Sequence, residues 1–150
     1  VQGSGTGYDW QMVALFTVEE VLFNLAEAYT YKGQTDKAIS LLNTYLSTRI
    51  AQYASNQDNI TPVKLKNVYG TDIPQSLISA ILDLRRAEFA HEGLRWFDVL
   101  RYKITVKHDQ MDPTGQQVIN SVTLDANNSH RIFQIPTVSA SQSGLSLNPR

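Results

Sequence analysis

The 150-residue chain contains no cysteine. Disulfides, thiol chemistry and cysteine-ligated metals are excluded, and the redox compartment stays open. Charge of one sign is also lacking. Thirteen Lys and Arg stand against fourteen Asp and Glu, a formal net charge of -1, without blocks of like charge. A nucleic-acid backbone or an anionic membrane surface is therefore a poor partner. No apolar run approaches the ~20 residues that span a bilayer, and the amino terminus lacks the basic-then-apolar layout of a signal peptide. His91, His108 and His130 have neither i, i+4 nor paired spacing. No second His follows His91-Glu92-Gly93, so neither a zinc site nor a metalloprotease motif is supported. Phosphate-binding loops, dinucleotide fingerprints and a Gly-x-Ser-x-Gly elbow are missing as well. No metal or cofactor is expected.

What the chain does contain is enough apolar material, 42% of residues, for a real core in one domain over residues 1–150. Its densest stretch is Ile81 to Arg101. Arg85, Arg86, Glu88, Glu92, Arg95, Asp98 and Arg101 are interleaved there with Leu82, Phe89, Trp96, Phe97 and Leu100. At 3.6 residues per turn Arg85, Glu88 and Glu92 share a stripe beside the apolar one. Gly93 interrupts it, and as the residue best suited to a left-handed conformation it predicts a break with a second short helix from Leu94. Arg95 and Asp98 would face each other at i, i+3 on that second piece. The cluster reads either as an ion-pair network locking a bent helix or as the two carboxylates of a glycoside hydrolase. The neighbouring arginines favour the network, because they would hold the carboxylates ionised.

Upstream, residues 1–16 read as a flexible or extended lead-in, with Trp10 as either a sugar platform or a core residue. Thr17-Val18-Glu19-Glu20 is a capping box, predicting a helix from Val18 with Leu22, Leu25, Ala26 and Tyr29 on its buried face and Gly33 as its stop. Thr35 or Asp36 would cap a second helix carrying Ala38, Leu41, Leu42, Tyr45 and Leu46. The spacing from Leu22 to Leu42 follows the tetratricopeptide helix-turn-helix pattern, present once. A single such pair cannot bury its own faces, so the Ile81 to Arg101 helix is its expected support. Glu27, beside the apolar stripe, has a packing or capping role rather than a catalytic one.

Ala51 to Asp72 reads as a polar connector with an extended piece at Val63-Lys64-Leu65. Pro74 opens the next helix, with Ser76 as a possible cap. Ile104-Thr105-Val106 and Val118 to Leu124 read as strands around the turn Asp112-Pro113-Thr114-Gly115. Asp109, Asp112 and Asp125 near that hairpin either gather a calcium ion or simply face water. The expected fold is mostly α: a tetratricopeptide-like helical hairpin packed on a bent signature helix, then a small β-hairpin and an extended carboxy-terminal segment.

Three stretches carry a resemblance to a known family. Ile81, Arg85-Arg86, Glu88-Phe89, Glu92-Gly93 and Arg95-Trp96-Phe97-Asp98 resemble the signature helix of the SusD/RagB family, I-x-x-E-R-R-x-E-F-x-x-E-G-x-R-W-x-D-L, with Leu84 where the family has Glu. Glu19-Glu20-Val21-Leu22 and Leu25-Ala26-Glu27-Ala28 resemble its E-V-x-L-x-x-A-E-A helix, and Leu42-Asn43, Leu46 and Arg49 its L-N-x-x-R-x-R region, less closely. His130 to Pro136 resembles the extended L-x-P-I-P segment, with Gln134 in place of the first Pro. The ending Leu147-Asn148-Pro149-Arg150 resembles Q-N-P-G, so the native carboxy terminus is expected to be present.

The resemblance implies a non-catalytic surface protein that binds nutrients, mostly glycans, in partnership with a TonB-dependent SusC-like outer-membrane transporter. It implies an outer-membrane location through a lipid anchor on a missing amino-terminal part, this chain being the carboxy-terminal portion. Arg85, Glu88, Glu92, Gly93, Arg95 and Asp98 would then be structural, and Trp10 is the one candidate ligand residue. The alternatives are a glycoside hydrolase using Glu88 and Glu92, and a helical protein-interaction module without ligand.

Overall fold

The computed structural model describes residues 16–149, which form seven α-helices and one two-stranded antiparallel sheet. The mostly helical class expected from the sequence is the class found. Two compact units divide at Arg85/Arg86.

In the first unit, α1 (Val18–Tyr31) begins where the Thr17 hydroxyl accepts the Glu20 amide at 3.2 Å. After three intervening residues α2 (Thr35–Arg49) begins, and the two form a hairpin. Glu19 at the start of α1 reaches Arg49 at the end of α2 at 2.7 Å, as antiparallel helices require. Neither Thr35 nor Asp36 caps α2; Gln34 holds that position without a side-chain bond. The buried face of α1 is also turned from the expected one. Phe23, Ala26, Glu27 and Thr30 are buried while Leu25 is 40% exposed. Phe23 is the largest of them, and its ring meets Tyr45 of α2 edge-on at 4.8 Å, a geometry that aromatic quadrupoles favour. Orienting the helix by its largest ring brings polar Thr30 inside, where its hydroxyl donates to the Ala26 carbonyl at 2.9 Å.

The expected connector is helical instead. It forms α3 (Ser55–Asp58) and α4 (Pro62–Tyr69), and Val63-Lys64-Leu65 lies within α4 rather than in an extended piece. Its punctuation marks are helix signals: Thr61 accepts from the Lys64 amide, Pro62 sits in the first turn, and Gly70 takes the left-handed cap at φ 68°. Asn43 of α2 pins the loop before α4, accepting the Ile60 amide at 2.7 Å and donating to its carbonyl at 3.1 Å. α5 (Ile73–Glu88) then buries Leu77, Ile78, Ala80 and Ile81. Ser76 does not cap it. The hydroxyl is buried inside the first turns, bonded to Thr71.

In the second unit, α6 (Leu94–Arg101) leads to β1 (Val106–Met111) and β2 (Val118–Leu124), paired from Val106↔Leu124 to Met111↔Val118 with a bulge at Gln110/Met111. β2 has the expected bounds. β1 starts at Val106 rather than Ile104 and runs through the polar Lys107-His108-Asp109-Gln110, because both of its faces are largely solvated and no apolar alternation is needed. A 3-10 turn (Ser129–Arg131) and α7 (Thr137–Ser143) follow. The carboxy-terminal segment is thus extended only around this helix. Gln134 clasps Asn148, donating to its carbonyl at 3.1 Å and accepting its amide at 2.9 Å.

Candidate functional site

The residues singled out from the sequence occupy a short sequence span but different local surroundings. Arg85 is buried on α5, 6% exposed, and donates to the Asn24 side chain of α1 at 3.0 Å. That contact anchors α5 against the α1–α2 hairpin within the first unit. Glu88 is half-buried at the end of α5, and Glu92 is exposed.

Between α5 and α6 the chain turns through Phe89 to Gly93. Gly93 has φ 78° at the position preceding α6, so the left-handed residue expected there is present. The helix stops earlier than Gly93, at Glu88, and His91 also has a positive φ of 67°. One turn into α6, Asp98 is 1% exposed and accepts from both Nε and Nη2 of Arg101 at 3.1 and 2.9 Å. Arg101, three residues after Asp98, supplies this fork, a pairing not expected from the sequence. Trp96 lies 6.3 Å from Phe133, ring to ring, and Phe97 and Phe133 are exposed. Trp10 lies outside the described residues.

The residue that sequence reasoning missed is Arg131. It is 6% exposed, and its guanidinium donates to main-chain carbonyls of Asp125, Val99 at 3.0 Å, Ile104 at 2.6 Å and Leu124 at 3.1 Å. The end of α6, the link between α6 and the hairpin, and the end of β2 are thereby tied to one side chain. Five N–H donors in a planar fork suit Arg to this task. Its partners are backbone atoms, which no residue pattern advertises.

The hairpin aspartates spend their acceptors locally. The Ser121 hydroxyl, then Lys107, holds the Asp109 carboxyl below its ordinary range. Thr114, then the Gln116 amide, does the same for Asp112. Asp125 accepts the Asn127 amide at 3.1 Å. Among the described residues no group of three or more His, Asp or Glu is placed to hold a metal ion.

The described residues of the first unit include a cleft and an open groove. A cleft of about 270 Å³ is bounded by α2, α3, α4 and α5. An open groove of about 480 Å³ runs along α2 past Asp36, Asn43, Tyr53 and Asn59. In that groove Asn43 is committed to Ile60 and the Tyr53 hydroxyl to Asn59. Neither concavity was foreseen, since each needs α3 or α4 and the loops beside them.

The sequence pattern of the SusD family matches residues 2–142. A solved structure from Bacteroides vulgatus ATCC 8482, of a protein to which sugar binding is ascribed, is similar at 25% identity and a TM-score of 0.61. The match covers 90% of this chain and 28% of that one, so the chain spans little more than a quarter of that protein's length. No curated protein matches the chain.

Proposed function

The chain belongs to the SusD family, and from that premise we propose that it forms the helical scaffold of a non-catalytic, glycan-binding component of an outer-membrane nutrient-uptake system. The observation that carries this reading is the family match over residues 2–142, supported by the likeness to a protein with an ascribed sugar-binding role. The partner is a TonB-dependent SusC-like transporter, with α1 and α2 as a tetratricopeptide-like pair in the scaffold. The place of work is the outer-membrane surface, with the lipid anchor on a preceding part of a longer protein. Among the described residues no helix is long and apolar enough to cross a membrane. Arg85, Glu88, Glu92, Gly93, Arg95 and Asp98 serve the scaffold. Trp10 is the candidate sugar platform.

The buried, doubly bonded Asp98 and buried Arg85 favour a structural role, because both side chains are committed to neighbours in the fold. The test offers the chain a panel of oligosaccharides and measures retention and reducing-end release side by side. Retention without release, weakened in Trp10→Ala, is the expected result. Release that disappears in Glu88→Gln or Glu92→Gln, with the fold intact, would replace the scaffold by a glycoside hydrolase.

A further inference from the structure

The open groove beside α2 is polar along its length. Asp36, Ser40, Thr44 and Ser47 recur every three or four residues, so one face of α2 carries them over about 16 Å. Tyr53, Ser55 and Asn59 join the lining from α3 and the residues flanking it. The volume of about 480 Å³ lies within the range of ligand pockets, about 300–1,000 Å³. Thr44 and Ser47 donate their hydroxyl protons to the main-chain carbonyls of Ser40 and Thr44, at 3.0 and 2.7 Å, and keep lone pairs for accepting. Asn59 accepts the Tyr53 hydroxyl on Oδ1, which leaves its NH2 as a donor. Among the described residues no partner engages the carboxylate of Asp36 or the hydroxyls of Ser40 and Ser55. Ile39 and the ring of Tyr53, both half-buried, supply apolar surface.

We infer that this groove is a sugar subsite for a neutral oligosaccharide of a few rings, its hydroxyls at Asp36, Ser40, Ser55 and Asn59 and its C–H faces on Tyr53 and Ile39. The inference rests on the glycan-binding reading and gives it a location among the described residues. Free donors and free acceptors stand together in the groove, and a hydroxyl, which does both, is the group that satisfies both kinds. A hydrocarbon would cover them and leave them unpaired. An acidic sugar would bring its carboxylate toward Asp36, with no Lys, Arg or His in the lining to offset it. A peptide strand needs a row of main-chain partners, and those of α2 are consumed within the helix.

The test titrates the full chain with maltotriose, cellotriose, trigalacturonate and triglycine, following the amide resonances of Ser40, Thr44, Ser47 and Ser55. Retention on the same sugars, immobilised, is measured beside it. At least one neutral trisaccharide is expected to move those resonances at millimolar concentration, about tenfold more tightly than trigalacturonate, and triglycine to leave them in place. Asp36→Asn should narrow that gap by raising the affinity for trigalacturonate. Ser40→Phe, at an exposed position, fills the groove and should abolish the shifts at Thr44, Ser47 and Ser55. Ser47→Ala removes one acceptor and fills nothing, so it should weaken binding about threefold with the fold untouched. Retention of a sugar with the groove resonances unmoved would overturn the subsite and leave the glycan reading standing, whereas no retention of any sugar would overturn both. Trigalacturonate or triglycine bound as tightly as the neutral sugar, or full binding in Ser40→Phe, would also overturn the inference.

Discussion

In the first unit the buried side chains are mostly hydrocarbon and ring: Phe23 against Tyr45, with Ala26, Ala38, Leu42, Leu77 and Ile81. In the second, the buried apolar set among the described residues is Phe89, Val99 and Ala140, and beside it stand a buried carboxylate, Asp98, and a buried guanidinium, Arg131. The first unit buries charged Glu27 and Arg85 too, but beside a larger apolar set; in the second, directed bonds from charged groups stand beside only three buried apolar residues among those described. The difference matters for how each fails. Loss of area grades with the volume removed, whereas loss of a buried donor strands every acceptor it served.

Four substitution experiments and one titration would break or sharpen that contrast. The largest effect is expected at Phe23→Ala, about 4 kcal/mol of destabilisation by chemical denaturation, from lost transfer energy and a cavity in the α1–α2 hairpin. Arg131→Met keeps length and bulk while removing the guanidinium's bonds to the carbonyls of Val99, Ile104, Leu124 and Asp125. It should cost about 3 kcal/mol, and amide exchange should show the loss across β1 and β2. An effect confined to a few tenths would mean that the guanidinium is ornamental.

Asp98→Asn, paired with Glu92→Gln, separates two of the three signature carboxylates. The first takes the negative charge from a fully buried side chain that accepts two Arg101 bonds and puts an amide NH2 in place of one oxygen; it should cost about 2 kcal/mol. The second alters an exposed side chain and should stay within about 0.5 kcal/mol. Equal midpoint shifts in denaturant would contradict this ranking. Gly93→Val should cost about 1–2 kcal/mol, because a Cβ at Gly93 meets no atom within 4 Å and only the φ of 78° resists it.

The smallest effect is in acid. The carboxyls of Asp109 and Asp112 are held below the ordinary value of 3.8, so the folded hairpin binds fewer protons than the unfolded one. Its stability contribution is complete above that value and is lost as pH falls through the lowered folded values. The Gln116 and Gln117 amides, which donate to Asp112, should therefore keep their chemical shifts to about pH 4 and move below it.

The same contrast explains what could be read in the sequence. The start of α1 at Thr17, the bounds of β2 and the left-handed Gly93 are local matters, set by a cap, an apolar run and a missing Cβ. The buried face of α1 was not local. Leu22 and Leu25 fit the period as well as Phe23 does, and the ring of Tyr45, more than twenty residues away, decides among them. α4 was hidden because its eight residues give too few turns for a periodicity, although its cap, proline and glycine were all visible. α7 is short and carries one buried residue, Ala140, so it shows no stripe at all. Within the candidate site, Arg85, Gly93 and Asp98 stood out by composition. Asn24, Arg101 and Arg131 acquire their roles only from what the folded chain brings to them.

The bulge at Gln110/Met111 carries one more consequence. Both strands of a two-stranded sheet are edges, and β2 exposes Val118, Ile119 and Val122 at 51%, 58% and 65%. A flat, apolar edge of that kind is a template for a strand from another molecule. Pairing Met111 with Val118 leaves Ile119 outside the ladder, and the local twist interrupts the row of amides and carbonyls that an incoming strand would need. The partner β1 adds Lys107, His108 and Asp109 along the other edge. The irregularity thus works as a guard against edge-to-edge aggregation, at the small expense of one unpaired residue.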